Sequence, residues 1–171
     1  FCEKNKIVDS RTPDGKSILA EIERTPAGAG SRTNDLVLIP ASGGAARVIK
    51  SFEEWAGDFS ISPDGRSIAF ARAAVAGKPE RDLFSLSLDG GRETPMLQHQ
   101  ANDMLLGWFA EGDRILFASD RGGTWGIWSA RVADGRAQGE PLLIRSDTGV
   151  IRQRSFTRQG NFYYSTQRIN D

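Results

Sequence analysis

Short stretches of alternating apolar and polar residues run along this chain, separated by clusters of Gly, Pro, Asp and Ser. That pattern predicts strands joined by tight turns. It is plainest over residues 60–70, where Ser60-Ile61-Ser62 enters Pro63-Asp64-Gly65 and Arg66-Ser67-Ile68-Ala69-Phe70 leaves it. Pro63 sets φ for a turn, Asp64 can bond the backbone that follows it, and Gly65 accepts a positive φ. Similar punctuation stands at Thr12-Pro13-Asp14-Gly15, Ala110-Glu111-Gly112-Asp113 and Arg158-Gln159-Gly160-Asn161. The glycines Gly15, Gly65, Gly112 and Gly160 are 50, 47 and 48 residues apart, and a near-constant period of this size marks a repeat architecture.

Each period resolves into the order strand, turn, strand, loop, strand, turn, strand. The first unit, about residues 6–50, places strands at 6–10, 17–23, 35–39 and 46–49, with an exposed loop over 25–34 and a hairpin turn at Ser42-Gly43-Gly44. The second, about 58–97, has strands at 58–62, 67–71, 82–88 and 94–97 and turns at Asp89-Gly90-Gly91. The third, about 104–144, has them at 104–109, 114–118, 126–132 and 141–144 and turns at Ala133-Asp134-Gly135. A half unit, about 150–166, adds 150–156 and 162–165. Asp35 to Gly43, Asp82 to Gly90 and Gly126 to Asp134 all span eight residues, so internal spacing repeats along with the period. Three residues after the first-turn glycine stand Ile18, Ile68, Ile115 and Tyr163; four before it stand Ile61, Trp108 and Phe156, with Arg11 in the first unit. Large groups at these places suit packing between stacked sheets.

A four-stranded antiparallel sheet cannot bury both faces alone, and repetition around an axis buries them against neighbours. The expected fold is therefore all-β: a β-propeller of four-stranded antiparallel blades, present as an open arc. A two-sheet sandwich would leave the period unexplained. The chain starts without Met and stops within a blade, so a segment of a longer protein is expected, with completion of one ring by two chains as the alternative. An open arc also leaves edges ready to pair, so self-association through the blade edges is expected.

Composition removes several function classes. Lys plus Arg equals Asp plus Glu, 22 against 22, so no net field or basic stripe recruits nucleic acid or an anionic membrane. A single cysteine, Cys2, permits neither an intrachain disulfide nor a cysteine-based metal site. No apolar run approaches the roughly 18 residues of a membrane helix, so no membrane insertion is expected. The charged start, Phe1-Cys2-Glu3-Lys4-Asn5-Lys6, is not a signal peptide.

The motifs also carry a resemblance. Ser62-Pro63-Asp64-Gly65-Arg66-Ser67-Ile68-Ala69-Phe70, followed by Asp89-Gly90-Gly91, resembles the WD-like propeller repeat of TolB-type proteins. Ile115-Leu116-Phe117-Ala118-Ser119-Asp120-Arg121-Gly122-Gly123 with Ile127-Trp128 is similar to the Ser-Asp-Arg stretch of the same repeat. The resemblance implies a ring of roughly six to eight blades, used as a binding platform for a protein or peptide partner. It equally implies the non-catalytic propeller of prolyl-oligopeptidase-like and dipeptidyl-peptidase-like serine hydrolases. An extracytoplasmic, bacterial setting goes with it.

Catalytic chemistry has little support. The sequence holds neither a Gly-x-Ser-x-Gly elbow nor a phosphate-binding Gly-x-x-x-x-Gly-Lys loop, so no enzyme and no cofactor are expected. One histidine, His99, excludes a multi-histidine metal centre. His99 lies on a connection between units and reads first as an exposed loop residue, second as a ligand contact. Asp120 and Arg121 read first as a turn-stabilising pair and second as a carboxylate or peptide-end site. The Pro-Asp-Gly and Asp-Gly-Gly acids lack the alternating ligands and closing Glu of a calcium loop, which leaves turn chemistry. Trp108 and Trp128 occupy strand positions suited to the core between blades. Trp55 and Trp125 lie in or beside loops and read first as packing back on their own blade, second as part of a partner surface. Arg152 and Arg154 sit on a candidate innermost strand and would attract an anionic ligand if they point into the channel.

Overall fold

The structure, a computed structural model, describes residues 5–24, 33–54, 56–157 and 161–167. These residues form β1 (Asn5–Arg11), β2 (Ser17–Arg24), β3 (Thr33–Pro40), β4 (Arg47–Phe52), β5 (Gly57–Ile61), β6 (Ser67–Ala73) and β7 (Arg81–Ser87). They continue as β8 (Glu93–Leu97), β9 (Asp103–Trp108), β10 (Arg114–Ser119), β11 (Gly126–Ala133), β12 (Arg136–Arg145), β13 (Val150–Phe156) and β14 (Phe162–Gln167). Three four-stranded antiparallel sheets follow chain order, β1 to β4, β5 to β8 and β9 to β12, and β13 pairs with β14. The first strands lie side by side, β1 against β5 and β5 against β9. The chain is thus an all-β, partial propeller with one sheet per repeat.

The turns explain the period. Ser62 Oγ donates to Asp64 Oδ1 at 2.6 Å, and that oxygen accepts the Arg66 N–H at 3.0 Å. Ser62 Oγ in turn accepts the Ser67 N–H at 3.0 Å. Thr12, Asp14, Lys16 and Ser17 repeat these bonds in the first unit. So do Ser87, Asp89, Gly91 and Arg92, at the second hairpin of the second unit. The hydroxyl first, then the backbone N–H, hold all three carboxyls below the ordinary carboxylate value.

Successive turns also touch one another. The Pro13 ring lies 3.4 Å from the point where a Cβ on Gly65 would stand, and the Pro63 ring 3.6 Å from the corresponding point on Gly112. At Gly90 the approach is closer, because a Cβ there would meet the Ile49 carbonyl oxygen at 2.6 Å while φ is +84°. Gly90→Ala is accordingly expected to cost about 1–3 kcal/mol. The readout is a lower denaturant midpoint at unchanged slope, and an unchanged midpoint would refute the contact.

The core sits between sheets. Phe52, Phe59, Phe70 and Phe84 form a ring cluster between the first and second sheets, with centroids 5.5 to 6.0 Å apart. Met96, Leu105, Ile115, Phe117 and Ala130 fill the next gap, with Trp108 and Trp128 packed against them. Leu106, Leu116, Ala118, Ile127 and Ile151 fill the third, beside Trp125, Phe156 and Phe162. Of the repeat positions, Ile68 and Ile115 are fully buried, but Tyr163 is 61% exposed on the two-stranded sheet.

The outer strand of the third unit runs over 136–145 rather than the 141–144 expected from its apolar residues. Asp134 and Gly135 both have positive φ, 51° and 73°, so the chain reverses in two residues. Pairing then begins at once, with Ala133 opposite Arg136.

Candidate functional site

The loop from β10 to β11 and the connection from β8 to β9 meet beside the start of β9. Asp120 Oδ1 accepts the Asn102 N–H at 2.9 Å. Arg121 turns the other way. Its Nη2 donates to both oxygens of Asp103 at 2.9 and 2.8 Å, and its Nε donates to Ser119 Oγ at 3.0 Å. The guanidinium centre stands 4.8 Å from the Phe117 ring and 5.6 Å from the Trp128 ring. Side-chain exposure is 8% for Arg121 and 0% for Asp103. Burial pushes the Asp103 carboxyl above its ordinary value, and the Ser119 and Arg121 hydrogen bonds recover part of that rise.

Asp120 and Arg121 therefore do not pair with each other. Each stitches the loop to the entry of β9, and an incoming carboxylate would have to compete with Asp103 for the guanidinium. Sequence reading missed Asp103. Its signal was an acid at the start of a first strand, 18 residues before Arg121, a separation that only the hairpin closes.

His99 is exposed, on the β8–β9 connection. Its backbone N–H donates to Asp82 Oδ1 at 3.0 Å, and its ring Nδ1 accepts the Ala101 N–H at 3.0 Å. Asp35, at the equivalent place in the first unit, bonds differently: it accepts a side-chain hydroxyl, Ser51 Oγ at 2.6 Å near the end of β4, and pairs with Arg24 at 3.0 Å. Gly126 replaces the acid in the third unit, where the Thr148 N–H goes instead to the Trp125 carbonyl at 2.9 Å.

Trp125 is half-buried and packs against the cluster that contains Ile127 and Ile151. The Trp128 indole N–H is enclosed without a hydrogen-bond partner among the described residues. Trp55 and the side chains of Arg152 and Arg154 lie outside the described residues. Among the described residues no group of three metal-ligating side chains comes together.

A second polar cluster, absent from the sequence reading, bridges the first two sheets. Glu93 on β8 accepts from Lys50 on β4 and from Arg72 on β6, whose Nη2 is 2.6 Å away. The Arg72 guanidinium lies 4.0 Å from the Phe84 ring centre. These residues wall an open cleft of about 440 Å³ with Glu53 and Glu54 at its mouth. Burial pushes the Glu93 carboxyl up, but the Lys50 and Arg72 hydrogen bonds outweigh it and hold it below its ordinary 4.5. A carboxyl lowered on folding stabilises above its unfolded value and loses that contribution as pH falls. Glu93→Gln is thus expected to be less stable than the parent at neutral pH, with the gap closing in acid. Urea midpoints at the two pH values test this, and a gap independent of pH would refute it.

No family model matches the chain. Among curated proteins, dipeptidyl-peptidase 5 of Porphyromonas gingivalis is 31% identical over 70 residues, 39% of this chain and 10% of that protein. TolB from Acinetobacter baumannii is similar in structure, with a TM-score of 0.66 at 21% identity, covering 91% of this chain and 36% of its own. For the putative TolB from Agrobacterium tumefaciens the TM-score is 0.69 at 23% identity, with 94% and 55% covered. The fold is the TolB-type β-propeller, in part. It is shared with enzymes: a puromycin-hydrolysing peptidase from Mycobacterium tuberculosis gives a TM-score of 0.70 at 16% identity, over 95% of this chain and 28% of that one. The propeller arc thus spans about half or less of the proteins it resembles.

Proposed function

We propose that this arc is a non-enzymatic binding segment that presents its loops and axial channel to a protein or peptide partner. The observation that carries the reading is the meeting of two inter-strand connections beside β9, where Asp120 and Asp82 fix the backbone around an exposed His99. Loops held by a rigid scaffold are where propellers and similar folds bind. The polar groups best suited to chemistry are already engaged, Arg121 with Asp103 and His99 Nδ1 with the Ala101 N–H.

Peptides selected from a display library on the immobilised chain test the reading. They are expected to lose binding when the exposed His99 is changed to Glu or Gln100 to Lys. Peptides indifferent to both changes, or turnover of peptidase substrates by the chain, would overturn it.

A second reading is the accessory propeller of a serine hydrolase whose catalytic domain lies outside this chain. The match to dipeptidyl-peptidase 5 and the likeness to the puromycin-hydrolysing peptidase favour it. An α/β-hydrolase domain encoded next to this segment would decide for the second reading; further repeats alone would decide for the first.

A further inference from the structure

Near its turn end, the second sheet shows a polar face to the third. Across β6, β7 and β8 the register sets Ser67 beside Ser87 and Arg92, and in the next row Ala69 beside Ser85 and Thr94. Strand alternation puts these side chains on one face, the face that carries Ala69, Leu83 and Met96 into the gap between the two sheets. The matching row of the first unit is Leu19, Leu38 and Arg47. There both leucines are buried in the first gap, and Arg47 donates to the Leu88 carbonyl at 3.1 Å. The small polar residues of the second gap wall an open cleft of about 350 Å³, which Trp108, Val132 and Gly135 close from the third unit.

Some hydroxyls of this cleft are spent. Ser85 Oγ donates to the Gly135 carbonyl at 3.0 Å, and Ser62 and Ser87 each donate at 2.6 Å to the aspartate of their own turn. Thr94 is different. It is only 7% exposed and lines the cleft, yet its hydroxyl has no hydrogen-bond partner among the described residues and is not sealed from the opening. Buried polar groups are ordinarily paired. Arg92 stands two residues before Thr94 on the same face, and its guanidinium has no ionic partner among the described residues. Two acids also reach the cleft, but Asp64 is bound into its own hairpin and Asp134 belongs to the opposite wall. What the second sheet has to spare is donors, a cation beside a hydroxyl, and these suit an oxygen anion.

We propose that this cleft binds a small oxyanion, a carboxylate or a phosphate, with Arg92 donating from the rim and Thr94 from the buried wall. The site lies at the opposite end of the sheet from the β8–β9 connection that carries His99. It goes beyond the proposed binding function and does not rest on it.

The test follows the backbone amide shifts of the whole chain as inorganic phosphate or acetate replaces chloride at constant ionic strength. Saturable shifts centred on Ser87, Arg92 and Thr94 are expected with at least one of the two, and the one that saturates names the source of the anion. Arg92→Gln should weaken binding roughly tenfold, the loss of a charge-assisted bond. Thr94→Val should weaken it about threefold or more without lowering the urea midpoint in anion-free buffer, because the hydroxyl has no partner within the chain to lose. Absence of saturable shifts with both anions would overturn the proposal, as would parent affinity in either variant. A lower midpoint for Thr94→Val would show that the hydroxyl is already paired inside the chain, and would overturn it too.

Discussion

Phe70→Ala is expected to cost about 3–5 kcal/mol and to lower the unfolding midpoint by roughly 6–20 °C. Phe70 is 0% exposed and its ring takes part in three of the four contacts of this aromatic cluster, one of them across to Phe52 on the first sheet. Removing it leaves a hole walled by Phe52 from the first sheet and by Phe59 and Phe84 from the second, which cannot close without shifting one sheet against the other. Phe70→Leu keeps most of the volume and should cost about 1–2 kcal/mol. The loss should also be uneven. Repeat units are held by their neighbours, so amide exchange should quicken in β1 to β4 more than in β9 to β12. A cost below about 1 kcal/mol for Phe70→Ala would mean that this gap is not packed as described.

Arg121→Ala carries the second large effect. It strands Asp103, which is wholly buried, without its counter-charge, and breaking a buried pair from one side costs about 3–5 kcal/mol. The pH dependence separates this from simple loss of packing. Asp103 already has a raised carboxyl value in the folded chain, and removing Arg121 raises it further. The penalty should therefore be full at neutral pH and shrink as pH falls through the folded value, where the carboxyl takes up a proton. Replacing both partners by apolar residues, Asp103→Leu with Arg121→Met, should recover much of the loss. A penalty that is the same at every pH would show that the charge on Asp103 is not its source.

Much of the architecture was legible because turns carry their own chemistry. A hydroxyl, a carboxylate and a glycine at fixed offsets close the same set of bonds at residues 12–17, 62–67 and 87–92, so spacing alone revealed the units. Strand ends were less legible. Apolar residues marked where the outer strand of the third unit is hydrophobic, yet its pairing starts at the Asp134-Gly135 reversal. The polar sites were legible least. Adjacent letters drew Asp120 and Arg121 together, whereas the turn sends neighbouring side chains to different partners. The Lys50–Glu93 link joins residues 43 apart on separate sheets, and no local pattern announces it.

The contacts between successive units have a direction. Pro13 leans forward onto Gly65 and Pro63 onto Gly112, while the Gly90 turn leans back under the Ile49 carbonyl. Each unit thus presents unlike leading and trailing faces, as a threaded rod does. A tandem duplication of one unit would dock in frame on either side, whereas an inverted unit would meet proline with proline and leave the carbonyl without its glycine. The arc can lengthen only head to tail.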